Sequence, residues 1–332
     1  MLRRVRVFAL TVTLLTALAG CGPTDGAKGP LGAGREVLTV DFEPGGILRY
    51  KFVSSRDITI GWDAPKTKRR PGPNASDKSS ESLEVVMIYR PIEVDSYGLT
   101  KIEARCESVK VSRTKGPRKD AVQSLAGKTF TLTVGPTGRI EDYSQLDKLL
   151  KEIGEKAFRT DAEGSRIKDP EMIGDFVASQ WFLWDSIAGI EKPSKGVEVG
   201  RSWKSKLSVP TPMVTRKARD VTYTLDEIRP GEKVRLAVIT SSYEAADSVP
   251  RGWPIPYWGS FQMKGPFGFY RNYQVLSLEG QGRELFNIDA GRTERYDQQY
   301  ELQLSASLML PLPGANPKIK INQKLTMELL ED

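Results

Sequence analysis

The stretch Lys318-Ile-Lys-Ile-Asn-Gln-Lys-Leu-Thr-Met-Glu-Leu329 sets Ile319, Ile321, Leu325, Met327 and Leu329 on one parity, against Lys318, Lys320, Lys324 and Glu328 on the other. A period of two marks a strand buried on one face and wet on the other, the usual state of an antiparallel sheet. The alternation recurs upstream. Phe130, Leu132 and Val134 alternate with threonines, and Val221, Tyr223 and Leu225 alternate with Thr222 and Thr224. Residues 83–89 are apolar at both parities, which places them centrally in a sheet. The expected fold is mainly β, a β-rich α+β arrangement of curved antiparallel sheets.

Two helical segments interrupt the strands. Ser144 and Asp147 have capping-box spacing, and Leu146, Leu149, Leu150, Ile153 and Ala157 follow at helical intervals. Asp169-Pro170-Glu171 reads as a second start, with a cap, a proline in the first turn and a carboxylate near the positive end. Met172, Ile173, Phe176, Val177, Trp181, Trp184 and Ile187 then form one wide apolar stripe. Such a stripe fills a curved sheet; the alternative is that Phe176, Trp181 and Trp184 line a ligand site.

Gly138-Arg-Ile-Glu-Asp-Tyr143 and Gly291-Arg-Thr-Glu-Arg-Tyr296 match at four of six positions, each after a strand and a short turn. Gly46-Ile-Leu-Arg-Tyr50 and Gly200-Arg-Ser-Trp203 open the two segments, 92 and 91 residues before those hairpins. An internal duplication follows: a β module over 36–143, a helical pair over 144–192 and a related β module over 193–332.

The N-terminus carries an address. Arg3, Arg4 and Arg6 precede a twelve-residue apolar run, Val7 to Leu18, too short to span a bilayer as a mature helix. Leu18-Ala19-Gly20-Cys21 then resembles the lipobox of bacterial lipoproteins. The resemblance implies a signal peptide over 1–20, cleavage before Cys21, and a diacylglycerol and an acyl chain such as palmitate on that cysteine. With Gly22 where an inner-membrane retention signal has Asp, it implies the outer membrane of a bacterial cell envelope, where that membrane exists. Residues 21–35, with five glycines and two prolines after Cys21, form a flexible tether. The body loosely resembles uncharacterised envelope lipoproteins built from curved antiparallel sheets and, in outline only, the half-barrel lipoprotein carriers.

Composition narrows the chemistry. The 332 residues contain no histidine, which removes Ser-His-Asp and Cys-His triads and histidine-ligated zinc. Cleavage leaves 46 basic and 42 acidic residues, a net +4, and Cys106 as the remaining free thiol. Cys106 shares a strand face with Ile102 and Ala104 and reads as a buried small hydrophobe. Gly127-Lys128-Thr129 lacks the first glycine of a phosphate loop and enters a strand, and Gly280-Gln-Gly282 lacks a βαβ setting. Ser112-Arg-Thr-Lys115 and Ser165-Arg-Ile-Lys168 have S-x-x-K spacing without K-T-G. No catalytic residue, cofactor or metal is expected, although convergent carboxylates in a cleft would revive a hydrolase acting on envelope polymers.

Two surface features remain. Residues 64–80 and 110–120 each carry a net +4, through Lys66, Lys68, Arg69, Arg70 and Lys78, and through Lys110, Arg113, Lys115, Arg118 and Lys119. They read as solvated loops, or as contacts to anionic headgroups or envelope polymers; the compartment disfavours nucleic acid. Eight of the chain's 28 aromatics fall between Trp253 and Tyr273. Trp253, Tyr257 and Trp258 there either display rings to a ligand or fold back to cap the sheet. The function expected is non-catalytic binding or structural support at the membrane surface; the alternative is a carrier holding a lipid between sheet and helices.

Overall fold

The computed structural model describes residues 34–62, 76–116, 119–160, 163–212, 217–231, 234–250, 252–257, 259–308 and 316–331. Cys21, the lysines and arginines of 66–70, Arg118 and Trp258 lie outside the described residues. Eleven strands form one sheet: β1 (Leu48–Trp62), β2 (Asp77–Val94), β3 (Thr100–Arg113), β4 (Thr129–Val134), β5 (Ile140–Asp142), β6 (Ser202–Val209), β7 (Lys217–Pro230), β8 (Arg235–Ala245), β9 (Tyr270–Asn287), β10 (Arg292–Leu308) and β11 (Pro317–Leu329). Their spatial order is β6-β7-β8-β9-β10-β11-β1-β2-β3-β4-β5. Every neighbouring pair is antiparallel. The sheet is thus a continuous meander whose last strand pairs with its first, opened between β5 and β6. The helices α1 (Ser144–Lys156), α2 (Ile173–Phe182) and α3 (Asp185–Ala188) arise at that opening. Helices and strands together belong to one compact unit over 34–332.

Strand for strand, the two Gly-Arg segments have the same layout. Gly46 precedes four strands of this sheet, the Gly138 turn and β5; Gly200 precedes four strands of this sheet, the Gly291 turn and β10. Both turn glycines have positive φ, +77° and +59°, where a side chain is strained. Both also touch the same extended segment. Val40 N–H donates to Pro136 O, and Asp41 N–H to Gly291 O, each at 2.9 Å. In a flat sheet those turns would stand six strands, roughly 29 Å, apart, yet adjacent residues reach both. The sheet therefore curls, and Leu38, Val40 and Phe42, each at most 5% exposed, plug one end of it. The pairing Leu236↔Asn287 lies at that end and Glu244↔Glu279 at the other, so the aromatic insertion between β8 and β9 opens at the opposite end.

Burial follows the parities. Phe130, Leu132 and Val134, and Val221, Tyr223 and Leu225, are at most 1% exposed, and Cys106 is fully buried, its thiol pushed up to about 12 by burial. The helical segment sits inside the curl. Phe176 (0%), Trp184 (3%) and Ile187 (0%) belong to the same core as the inward strand faces. Trp184 meets Phe42 and Tyr89 edge-to-face at 6.0 and 5.8 Å. The Trp203 indole N–H donates to Ser186 O at 2.7 Å, and Ser205 and Tyr223 donate to Asp185 at 2.8 Å, docking α3 on β6 and β7.

The helix starts differ from expectation. Residues 169–172 are not helical, and α2 begins at Ile173 with no side-chain cap from Met172, its N-terminal flanking residue. The cap comes instead from a distant segment: the Asp120 carboxylate accepts from Met172 N–H at 3.2 Å and also caps a short 3-10 turn at Ala121–Leu125. Asp169 is drawn outward by Arg159 and Lys264. The single stripe is also broken, because Leu183 and Trp184 form a turn between α2 and α3. Ser144 is the first residue of α1 rather than its cap, and its N–H donates to Asp142 at 2.9 Å.

A polar row crosses the inner face. Tyr243, Gly280, Tyr300, Gln323, Arg56, Glu81 and Arg113 stand opposite one another on consecutive strands from β8 through β11 to β3. Arg56 donates to Glu81 at 2.8 Å and to Asp175 of α2 at 2.9 Å. Ser54 and Gln323 also donate to Asp175, at 2.7 and 3.2 Å. Burial acts to raise the Glu81 carboxyl, but the Arg56 and Arg113 guanidiniums overcome it and hold Glu81 below the usual carboxylate range. Arg113 is thus a buried link between Glu81 and Asp120, not part of a solvated basic loop. Lys110 pairs with Glu84 and Lys115 with Asp77, so three of that segment's five expected cations are neutralised.

Glu284, 1% exposed, is a separate buried acid, and burial pushes its carboxyl up to about 7. The single Thr293 hydroxyl hydrogen faces two acceptors, Leu183 O at 3.0 Å and Glu284 at 2.7 Å. A protonated Glu284 donating to Thr293 satisfies both bonds. With its folded value above the ordinary 4.3 or so, Glu284 contributes stability that is complete below about pH 4.3 and is lost as pH rises through about 7. Chemical denaturation is expected to show Glu284→Gln flattening the decline in stability between pH 4.5 and 8, by up to about 3 kcal/mol. An unchanged slope would contradict a neutral Glu284.

Candidate ligand-binding cleft

The aromatic insertion is held in place by backbone pairing. Residues Gln262–Met263 pair in parallel with Arg166–Lys168, which pairs antiparallel with Arg159–Thr160. Lys264 N–H adds a bond to Lys168 O at 2.8 Å. The insertion then crosses α1 so closely that a Cβ at Gly154 would stand 2.1 Å from Pro256 O. Trp253 packs on Trp181 at 5.0 Å, and Trp181 on Tyr143 at 5.3 Å. The loop therefore folds back over the open end of the sheet.

Between this loop and the end of β6 lies a cleft of about 320 Å³. Trp253, Ile255, Tyr257, Phe261 and Met263 form one wall, and Val209, Pro210 and Pro212 the other. Lys168, Asp169 and Glu171 line its polar floor. The Lys168 and Glu171 side chains are 2% and 7% exposed and pair directly with each other. Tyr257, Phe158 and Phe261 form a ring cluster, with Phe158–Phe261 centroids at 5.1 Å and Tyr257–Phe261 at 5.8 Å. The Lys168 ammonium lies 4.4 Å from the Tyr257 ring and 4.9 Å from that of Phe158.

Desolvation governs the floor. Burial lowers the Lys168 ammonium below its ordinary range, and burial pushes Glu171 up to about 7 despite the adjacent lysine. One Glu171 oxygen, Oε1, is buried without a hydrogen-bond partner. An apolar cleft of this size with a few convergent polar groups and displaced proton affinities has the character of a small-molecule site. Two larger troughs, about 700 and 830 Å³, lie along the sheet near Gly280 and are lined mainly by polar side chains such as Thr222, Gln281, Gln299 and Lys324.

The residues singled out by sequence divide. Trp253 and Tyr257 line the cleft, and Trp181 stands behind Trp253. Phe176 and Trp184 lie in the core. Lys168 and Glu171 are the residues that sequence reasoning passed over, Lys168 as a coincidental S-x-x-K match and Glu171 as a helix-start carboxylate. Nothing local marks them, because parallel pairing with 262–263 creates their surroundings.

A model of a family of unknown function, DUF6263, matches residues 81–237, somewhat under half of the chain. No curated protein matches. Among solved structures, one described as "Lipid-protein interactions in lipovitellin" is similar at a TM-score of 0.42 and 10% identity, over 88% of this chain and 26% of that one. The chain thus spans about a quarter of that protein's length. A mutant Rh. blastica porin is similar at a TM-score of 0.16 and 8% identity, over 86% of this chain and 99% of its own.

Proposed function

We propose that the protein is a non-catalytic binding protein of a bacterial cell envelope, anchored by lipid on Cys21, that takes a small ligand in the cleft between the aromatic insertion and β6. The cleft carries this reading: Trp253 and Tyr257 face Pro210 and Pro212 above a buried ionisable pair. The space between sheet and helices is occupied by Phe176, Phe182, Trp184 and Ile187, which favours the cleft over an internal lipid chamber. The anchor rests on Leu18-Ala19-Gly20-Cys21. Two or more acyl chains there would make attachment effectively permanent.

Native mass spectrometry on the full chain extracted from envelopes tests the cleft. A stoichiometric added mass is expected on the wild type and absent from a folded Trp253→Ala/Tyr257→Ala variant. A bare wild-type mass, unchanged after incubation with envelope extract, would overturn the binding role. Alkyne-palmitate labelling tests the anchor separately: Cys21→Ser is expected to lose the label and leave the membrane fraction, and retention of both would remove Cys21 from the account.

A further inference from the structure

The two ends of the sheet differ in what leaves them, and with the anchor proposed at Cys21 as premise that difference decides which end meets the bilayer. Gly34, where the described residues begin, lies at the plugged end. Arg35–Glu36 pairs with Val197–Glu198 just ahead of β6, and Arg235, the first residue of β8, donates to Glu36 at 3.0 Å. Thirteen residue steps, 21 to 34, separate Cys21 from Gly34. A glycine-rich coil of that length spans roughly 20 Å, and fully drawn out it spans about 45 Å. The opposite end is farther by the length of the strands, about 36 Å along the eleven residues of β8. The tether therefore serves the plugged end as a relaxed coil and the cleft end only when stretched well beyond it.

The plugged end also carries six exposed apolar side chains: Ile47, Ile92, Val94, Tyr97, Val199 and Val234. They stand before β1, at the end of β2 and its turn into β3, before β6, and in the β7–β8 turn, around the Leu38, Val40 and Phe42 plug. The backbone displays two of them. Register slips between Pro91 and Glu93, so Ile92 is the extra residue of a bulge and is 51% exposed. In the turn after Val94, the Asp95 carboxylate accepts from the N–H groups of Tyr97 and Leu99 at 2.8 and 2.9 Å. Asp95 N–H donates to Leu99 O and Gly98 N–H to Asp95 O, which closes the turn and holds Tyr97 outward, 84% exposed. A tyrosine, with an apolar body and a polar tip, suits the headgroup boundary. Arg35, Arg90 and Arg235 on the same rim each have a carboxylate partner, so the rim meets lipid through its apolar groups. The opposite end exposes Val249, Ile255, Phe269 and Leu276, but the chain to Cys21 does not leave from there.

We infer that the plugged end rests on the lipid bilayer that holds Cys21, with Ile92, Tyr97 and Val234 in its headgroup layer. The cleft, at the opposite end, then opens away from that bilayer and takes its ligand from the aqueous side.

The test uses the full acylated chain in phosphatidylethanolamine–phosphatidylglycerol vesicles, with and without 5-doxyl-phosphatidylcholine. A nitrobenzoxadiazole probe is attached through Tyr97→Cys, Val234→Cys or, at the opposite end, Leu276→Cys; Cys106 is fully buried and stays unlabelled. The doxyl lipid is expected to quench the probes at 97 and 234 by about twofold or more and to leave the probe at 276 unchanged. Ile92→Asp added to Val234→Cys is expected to weaken quenching at 234 without moving Tm. Equal quenching at all three positions, or quenching at 276 alone, would overturn the orientation. Shielding of the probe at 97 from iodide without doxyl quenching would also overturn it, by showing a protein such as a second copy on the rim. Intact mass reads the anchor separately. An acylated chain whose probe at 97 stays unquenched keeps the anchor and loses the docked end. A chain without acyl mass loses the anchor; its Cys21→Ser form added to the same vesicles then keeps the docked end if the probe at 97 is quenched and loses it if not.

Discussion

Replacing Arg56 with methionine is expected to lower the free energy of unfolding by about 3–5 kcal/mol, among the largest effects of any single change here. The Arg56 side chain is fully buried and bridges Glu81 on the neighbouring strand to Asp175 on α2. Methionine fills much of the volume but leaves Asp175 as a carboxylate inside the curl. Glu81 keeps Arg113 at 2.8 Å, so most of the loss falls on Asp175. The double variant Arg56→Met/Asp175→Asn separates charge from packing. A neutral amide still meets Ser54 and Gln323, so the second substitution is expected to restore about 1–3 kcal/mol. Urea denaturation of the two variants measures this. A single-variant loss below about 1 kcal/mol, or no recovery in the double variant, would mean that the row of charges does not tie helix to sheet.

Gly282 is the second such position. It sits on the inner face of β9, where a Cβ would come within 2.3 Å of the Tyr243 hydroxyl and 2.5 Å of the Ser241 hydroxyl. Those groups and Tyr296 form a closed buried cluster, with Ser241–Tyr243 at 2.7 Å and Tyr243–Tyr296 at 2.9 Å. Gly282→Ala must push the cluster apart, with an expected cost of about 3 kcal/mol from overpacking and lost hydrogen bonds. Tyr243→Phe in the Gly282→Ala background removes the nearest atom and is expected to recover part of that loss. Gln281→Val, on the outer face, is expected to change stability by less than about 0.5 kcal/mol. Thermal unfolding of the three variants checks this, and a neutral Gly282→Ala would show that the inner face has room to spare.

These two positions show how far the sequence was legible. The alternation in 129–134, 221–225 and 318–329 identified strand, inner face and fold class, because period-two burial is a local property. Three buried polar side chains lie in the same pattern. Arg56 lies on the parity of Tyr50, Phe52, Ile58 and Ile60; Gln323 lies on that of Ile321 and Leu325; Arg219 lies on that of Val221 and Tyr223. A charge on the apolar parity implies an inward partner, but the partner, Asp175 or Gln298, comes from elsewhere in the chain. Gly280-Gln-Gly282 has the spacing of a dinucleotide motif without its setting, and the role of the two glycines is the room they leave for Tyr300, Tyr243 and Tyr296. Closure of the sheet through β11–β1 pairing, and the plug at 38–42, depend on contacts about 250 residues apart that no local pattern encodes.

The cleft divides in the same way. The aromatic density of 253–273 pointed to its wall, and proline at 254 and 256 to an irregular loop. Its floor depends on the pairing of 166–168 with 262–263 and on the bare helix surface at Gly154, and both are tertiary.

Hydrogen exchange on the full chain, isolated from envelopes with its ligand and again after the ligand is removed, tests the central claim most directly. Binding at the open end predicts that ligand loss raises exchange in 208–212 and 252–263 while 173–188, enclosed by the sheet, keeps its protection in both states. Increased exchange across 173–188 with no change in 252–263 would contradict the account and place the ligand between sheet and helices.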